Sequence, residues 1–500
     1  MSRTNKRRSS HNVSPSESIK KTHKSQSLSA SPPPPIKLPT FTSYLQTPNL
    51  TPKIKLLCEI LAQTPSTDVE KTLEDTGVRI TTEDVEEILK LSYGFPATAV
   101  KFFRWAGRQL NDNHSPYGWN LVVDLLGKNL LFEAMWDAIK SMKKEGLLSL
   151  ATFASVFSSY AVNDRVDEAI MTFEVMDQYG CPRDVVAMNS LLSAICREGK
   201  TANARDFFNI AKDKIRPDGD TYAILLEGWE SEGDAINAHK TFGEMVIQLG
   251  WDPVNVPAYD AFLNTVLKGR DGVHESMKFF AVLKTNRCFP GMKFFRSALD
   301  EFIRNNHTRE AWDLWEAMVR INGCIPDTQM YNSMITLQCY VNKSDLACQF
   351  LDEMVFYGAF PDYNTYNIML KFLLKMRKMR EVSALFNEML KNEFVPSQEN
   401  CTSAITVFVD VGDPEMAIKV WKCMLENEMK NGLEITVNLF IVGLRDLNRL
   451  SEARKYAEDA IEKGIKVSSS TLSKLKQSLT QLGKAYVYEE LLRKWKSKAH

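Results

Sequence analysis

From about residue 50 onward, apolar residues fall at helical spacing in short, paired runs. After Tyr363, the residues Tyr366, Met369, Leu370 and Leu373 sit at i, i+3, i+4 and i+7, and Val382, Leu385, Phe386 and Met389 repeat the spacing. Ala311, Leu314, Trp315 and Met318 do the same, as do Ala417, Val420, Trp421 and Met424. Each run predicts one amphipathic helix with a single apolar stripe. Gly199, Gly233, Asn306, Gly412 and Asn448 lie between paired runs, where Gly or Asn turns the chain from one helix into the next. Pro-Asp pairs at 217–218, 326–327 and 361–362 end a preceding helix and offer an Asp cap to the following one.

The helix pairs recur with a period of about 35 residues. Thr328 to Asp362 and Tyr363 to Ser397 are the clearest adjacent copies. Tyr331-Asn332 in one corresponds to Tyr366-Asn367 in the other, and Pro361-Asp362 to Pro396-Ser397. Units begin near 116, 150, 185, 219, 256, 292, 328, 363, 398 and 434, so ten units fill 116–468. A degenerate unit at 80–115 and two short helices, Leu50 to Gln63 and Ser66 to Thr76, make up 50–115; a charged helix pair at 469–500 serves as the cap. One helix pair can bury only one face, so neighbours must stack. The expected fold is therefore all-α: a right-handed superhelical solenoid of stacked antiparallel helix pairs. A small residue opens the second helix of many units (Ala169, Ala204, Ala238, Ala311, Ala347, Ala417, Ala453) and permits close helix approach. The Met and aromatic positions that follow are core packing, not a cofactor box.

Charge narrows the function. The 500 residues carry 62 basic and 62 acidic side chains, but residues 1–40 hold eight basic residues against Glu17 alone. The remainder is thus slightly acidic, which excludes nucleic-acid binding by bulk electrostatics and leaves local patches and base contacts. No apolar run approaches the length of a membrane span. The nine cysteines form no Cys-x-x-Cys pair, and the seven histidines show no metal-ligand spacing, so neither a disulfide framework, a zinc site nor a cofactor is expected. Residues 1–49, rich in Ser, Pro, Lys and Arg with the run Pro32 to Pro35, lack apolar periodicity and are expected to be disordered. Their composition fits an organellar transit peptide, Lys6-Arg7-Arg8 fits a weak nuclear signal, and a plain tail is the third option.

The Tyr-Asn opening, the Ala-x-x-x-Phe-x-x-Met second helix, the Gly-x-x-Pro-Asp ending and the period together resemble the pentatricopeptide repeat family. The segment Ala99 to Ala106, followed by His114-Ser115-Pro116, looks like the entry region of its plant members, and the pattern fits the P-type subclass. The resemblance implies single-stranded RNA as partner, read one base per repeat along a groove of first helices. The fifth residue of each repeat and the last residue form the reading pair: Asn with Asp implies U, and Asn with Ser implies C. On this chain the reading pairs are Asn189 with Asp218, Asn332 with Asp362, Asn367 with Ser397, and Asn438 with Ser468. Val186 and Ile435, at second positions, are the base-sandwiching residues. In the family's polarity the readout is 5′-U-N-N-N-U-C-N-C-3′.

Several positions depart from the pattern. Ala154 and Ala223 occupy fifth positions and cannot hydrogen-bond a base, and Asp260 adds negative charge where RNA would approach. Arg296 is unlike the usual choices, and Thr402 pairs with Leu433 across a shifted boundary. Asn120 and Ser149 fall one residue short of register and are left out of the code. Second positions Asp220, Lys293, Gln329, Asn364 and Glu399 lack the aliphatic side chain. An Asn near a helix start also serves as a cap; four paired instances at one register favour base reading.

These features point to a sequence-selective RNA binder in an organelle, with the mitochondrion ahead of plastid and nucleus. It would protect, unfold or expose a transcript for processing, splicing or translation. The alternative is a protein-interaction scaffold, for example a subunit associated with an organellar ribosome. No enzyme is expected. Beyond residue 468 there are about 32 residues, without the His-x-Glu and Cys-x-x-Cys pattern of a deaminase-like extension.

Overall fold

The computed structural model describes residues 43–319, 324–427, 429 and 432–498. Most of the expected N-terminal tail, 1–42, lies outside the described residues. Within 43–49, Tyr44–Gln46 forms a short 3-10 turn capped by Ser43, and Tyr44 is buried with its ring against Phe95. The tail's expected boundary at 49 is therefore too late, because Tyr44 supplies an aromatic anchor that composition alone does not reveal.

The described residues are all helical, without a strand, and fall into two compact units, one ending at His114 and the other beginning at Ser115. In the first unit, helices Pro52–Gln63, Val69–Asp75, Thr82–Leu91 and Pro96–Gln109 bury Leu57, Cys58, Leu73, Ile88 and Phe102. Thr51 caps the first of these helices, and Pro52 fits at its start because the N–H it lacks would have no partner there.

The second unit consists of helix pairs joined by tight turns. Its first helices begin at Pro116, Leu150, Val185, Gly219, Val256, Met292, Thr328, Tyr363, Gln398, Leu433 and Ser469. The reason is local. The residue before most of these starts (Ser115, Asp184, Asp218, Asp327, Asp362, Ser397 and Ser468) accepts the N–H of the third helical residue with its side chain. The last residue of one repeat is thus the N-cap of the next. Between the two helices of most pairs the chain passes through a left-handed residue: Gly199, Gly233, Asn306, Gly412 and Asn448 take this conformation, and so do Leu130 and Arg377. Each first helix packs on its own second helix and on the first helix of the next pair.

The core lies between pairs. Ala169, Ala204, Ala238, Ala311, Ala347, Ala417 and Ala453 are completely buried, which brings neighbouring helices close. Aromatic rings fill the remaining space: Trp315 lies 5.2 Å from the ring of Tyr331 and 5.5 Å from that of Phe350. At Gly228 a Cβ would fall 2.4 Å from Thr201 Oγ1, so this helix crossing requires glycine. No described helix is long and apolar enough to cross a membrane.

Trp315→Ala should remove about 3–5 kcal/mol of packing energy. Because stability in a stacked array is shared mainly between neighbours, the expected signature in hydrogen exchange is loss of protection in Met292–Arg304 through Ser344–Phe356, with the Pro116–Lys128 helix unaffected.

Candidate nucleic-acid interface

The fifth residues of the repeats stand on the first helices, one turn past the cap. In the 185 and 328 repeats the arrangement is the same. Asn189 Nδ2 donates to Asp218 Oδ1 at 3.1 Å, and Thr221 Oγ1 donates to Asn189 Oδ1 at 2.7 Å. Asn332 Nδ2 donates to Asp362 Oδ1 at 3.1 Å, and Thr365 Oγ1 donates to Asn332 Oδ1 at 2.6 Å. The backbone N–H of Thr221 and of Thr365 also donates to the same carboxylate oxygen, at 2.9 and 2.8 Å. The bonds from Asn and Thr all converge on Oδ1. They leave Oδ2 and the second amide hydrogen of Asn as an adjacent acceptor and donor.

Where Ser ends the repeat, the tie changes. The N–H of Ser397 donates to Asn367 Oδ1 at 2.8 Å, and Asn400 Nδ2 donates to the same oxygen at 2.9 Å. Asn367 Nδ2 turns to the carbonyl of Tyr363 at 2.8 Å. In the 434 repeat, the N–H of Ser468 donates to Asn438 Oδ1 at 2.9 Å, and Asn438 Nδ2 meets the carbonyl of Glu434. None of the four Asn residues is an N-cap; those positions belong to Asp184, Asp327, Asp362 and Gly432. Burial by itself would raise the carboxyl of Asp218 and of Asp362. The bonds donated by the Thr N–H and the Asn amide outweigh it and hold both below the usual carboxylate range. Both are therefore ionised acceptors at neutral pH.

The third residue of the following repeat was not singled out in the sequence, yet it completes the site. Thr152, Thr221, Thr365, Asn400 and Thr436 are buried, and each bonds the fifth side chain of the repeat before it: Asn120, Asn189, Asn332, Asn367 and Thr402. A buried hydroxyl or amide needs such a partner. The signal was present as Thr recurring three residues after an acidic or Ser cap. It also restores Asn120: Ser149 is the residue before helix Leu150–Val162, and Thr152 Oγ1 donates to Asn120 Oδ1 at 2.7 Å. Thr402 meets Thr436 at 2.9 Å and not Leu433, because the helix there starts one residue early, after left-handed Gly432.

Val186 and Ile435 are 57% and 68% exposed on their helices, as Ile210 and Ile236 are on theirs at 72% and 71%. Around Asn332 there is a cavity of about 360 Å³ lined by Gln329, Asn364, Ser333, Thr336 and Ile368 among others. The two second-position residues, Gln329 and Asn364, flank this opening with amides where Val186 and Ile435 present aliphatic surface. Gln329 Nε2 is in turn held by Asp300 Oδ2 at 2.9 Å.

Two departures acquire a physical meaning. Asp260 does not add charge to an open face, as the sequence suggested. It is 7% exposed, and its Oδ1 accepts the N–H of Gly291, the residue that precedes helix Met292–Arg304, at 2.6 Å. It makes the bond that Asn367 makes to Ser397. A Cβ on residue 291 would come within 2.8 Å of Asp260 Oδ2, which is why Gly stands there. Arg296 forms an ion pair with Asp327, so its repeat ends in a closed charge pair. Among the described residues no group of three or more His, Cys, Asp or Glu could hold a metal ion.

Two outcomes follow from this geometry. Thr365→Val should cost about 1–2 kcal/mol of stability and release Asn332 from its fixed orientation; binding assays should then show weaker discrimination of the base at that repeat than at the 363 repeat. The second concerns pH. Burial raises the carboxyl of Asp260 to about 6, against the opposing bonds from Gly291 and Phe294 and the charge of Lys293. Its folded value lies above its unfolded one. The stability linked to it is therefore complete below the ordinary carboxylate range and is lost as pH rises through about 6. Asp260→Asn should flatten the pH dependence of the unfolding midpoint between about pH 4 and 7, measured by thermal melts across that range.

Comparisons with known proteins agree with the helix-pair architecture. The profile described as PPR repeat family matches residues 183–229 and 326–375, and that described as PPR repeat matches 117–147, 151–181, 364–394 and 400–429. The pentatricopeptide repeat-containing protein At1g77360, mitochondrial, of Arabidopsis thaliana is 33% identical over 189 residues, covering 38% of this chain and 37% of its own length. The Arabidopsis pentatricopeptide repeat-containing protein At5g15010, mitochondrial, is 26% identical over 403 residues, 80% of this chain and 69% of its own. Among solved structures, the pentatricopeptide repeat protein PPR10 in complex with an 18-nt psaJ RNA element gives a TM-score of 0.41 at 20% identity, covering 90% of this chain and 64% of that one. Repeat profiles distributed along the second unit, together with relatives that bear the same repeats, show that the chain belongs to the pentatricopeptide repeat family.

Proposed function

We propose that this protein binds single-stranded RNA sequence-selectively, one base per repeat, and acts in mitochondrial RNA metabolism: stabilisation, processing, splicing or translation of a transcript. The observation that carries the reading is the duplicated Asn–Asp–Thr arrangement at 189/218/221 and 332/362/365, which fixes a donor beside an ionised acceptor on equivalent turns of stacked helices. Uracil presents an N3–H donor flanked by carbonyl acceptors, and a carboxylate Oδ2 beside an amide N–H is complementary to that edge. At 367/397 and 438/468 the carboxylate is replaced by a Ser hydroxyl: that of Ser397 accepts the N–H of Asn400 and keeps its proton to donate to the bare N3 of cytosine, and that of Ser468, which donates to Thr471 Oγ1 at 3.0 Å, would rotate to do so. Val186 and Ile435 supply apolar cover for a base at the 185 and 434 repeats. Asn120 with Ser149 joins these as a further Asn–Ser pair.

The mitochondrial relatives support that location, with the basic segment ahead of Ser43 as the transit segment, repeats over 116–468 and a P-type organisation. The reading needs no cofactor and no reaction by this chain. One feature favours protein docking as a second reading: Phe356 and Phe360 at the end of the 328 repeat, and Ile325 at the end of the repeat before it, are 82%, 72% and 67% exposed.

Selection from a random single-stranded RNA pool with residues 43–498 decides between them. Enrichment of U followed directly by C, assigned to the 328 and 363 repeats, is the expected result. Asn332→Ser should relax the U preference and lower affinity about tenfold, in line with the loss of a base contact, while leaving the C preference intact. A pool that stays unenriched even at low salt would instead support the scaffold.

A further inference from the structure

Helix Val256–Leu267 differs from its neighbours in what it leaves open. All ten residues from Ala258 to Leu267 are buried. In Val185–Arg197 the fifth, sixth and ninth positions (Asn189, Ser190, Ser193) remain partly exposed, and in Tyr363–Lys375 so do Asn367, Ile368 and Lys371. The fifth position does not separate the repeats, since Asn332 is 9% exposed against 7% for Asp260; the sixth and ninth do, Ala261 and Asn264 of the 256 repeat being 0% and 2% exposed where Ser333 and Thr336 of the 328 repeat are partly exposed.

The cover comes from both sides. Lys293, the second residue of the 292 repeat, places Nζ 2.7 Å from Glu230 Oε2. Glu230 stands on helix Gly219–Glu232, so this ion pair bridges the two first helices that flank Val256–Leu267. Elsewhere a second-position residue reaches only one repeat back, to the ninth position: Gln329 to Asp300, and Glu399 to Lys371 at 2.9 Å. In that register Lys293 passes over Asn264 and continues to the next helix. Glu230 is 12% exposed and Lys293 54%, so the glutamate is seated against the helices while the lysine stem lies across the open face of the row. Beneath it, Asp260 faces Gly291, and one turn from Lys293 the side chain of Arg296 is closed on Asp327.

We propose that the Lys293–Glu230 strap divides the row of first helices into two separate RNA tracks, and that RNA crosses the 256 repeat without any base being read there. The proposal rests on the RNA-binding reading above. The upstream track runs to the 219 repeat and contains Asn120 and Asn189; the downstream track contains Asn332, Asn367 and Asn438. In a continuous track an added nucleotide shifts every later base out of register. Opposite the strap, an added nucleotide bulges out and both tracks keep their bases.

The test uses the whole chain and four RNAs of one design: U-N-N-N-U-C-N-C with fixed bases at N, the same RNA with one nucleotide added beside the third position, the same with one added between the adjacent U and C, and a scrambled sequence. The addition at the third position should weaken binding by less than about threefold, and the addition between U and C by about tenfold or more, as expected for lost base contacts. Equal losses overturn the proposal. So does a base preference at the third nucleotide that Asn264→Ala abolishes, since Asn264, whose amide atoms have no hydrogen-bond partner among the described residues, would then be reading beneath an opened strap. A reference RNA bound no better than the scrambled one defeats the RNA code and the strap proposal together. A well-bound reference with equal insertion losses defeats the strap alone.

Discussion

A helix hairpin has one face too many to bury against itself, and everything in the second unit follows from that constraint. Each first helix has to lie on the next first helix, so small residues such as Ala311 and Ala347 recur where helices approach, and rings such as Trp315 and Phe350 bridge to the following pair. The same stacking aligns the fifth positions turn above turn. The interface is therefore a by-product of core formation: once the cores are filled, side chains one turn from each cap can only face along the row.

That row holds one geometric slot with several chemistries in it. Asn in the slot bonds forward to the next repeat, whether through Asp362 and Thr365 or through Ser397 and Asn400. Asp260 bonds forward to Gly291, and Arg296 to Asp327. The forward bond is common to all of these. What differs is the chemistry beside it: an amide hydrogen and a carboxylate oxygen in the Asn–Asp repeats, a hydroxyl in the Asn–Ser repeats, and at Asp260 a carboxyl closed against glycine.

The fold could be read in the sequence because its determinants are local. Period, apolar stripe, Pro-Asp ending and turn Gly all act within a few residues, and helix starts such as Thr328 and Tyr363 stand at the positions the period places them. Turn residues without the usual signature, Leu130 and Arg377, could not be anticipated, since stacking on both sides holds them in a conformation their side chains disfavour. The candidate site was legible as positions but not as contacts. Asn189 and Asp218 could be paired by register; the role of Thr221 emerged only from its burial. Asp260 was misjudged because its environment is made by Gly291, 31 residues away, and by a lysine and a glutamate 63 residues apart on the flanking helices, which no local pattern encodes.

The residue that ends a repeat also starts the next helix, as Asp218, Asp362, Ser397 and Ser468 all do. On the proposed reading, the vocabulary at this position is confined to residues that can cap a helix: Asp, Asn, Ser, Thr, and Gly as at Gly291. Reprogramming such a protein to a new transcript is a choice within that short alphabet. A replacement outside it would be felt first as frayed architecture in the neighbouring repeat and only afterwards as altered specificity.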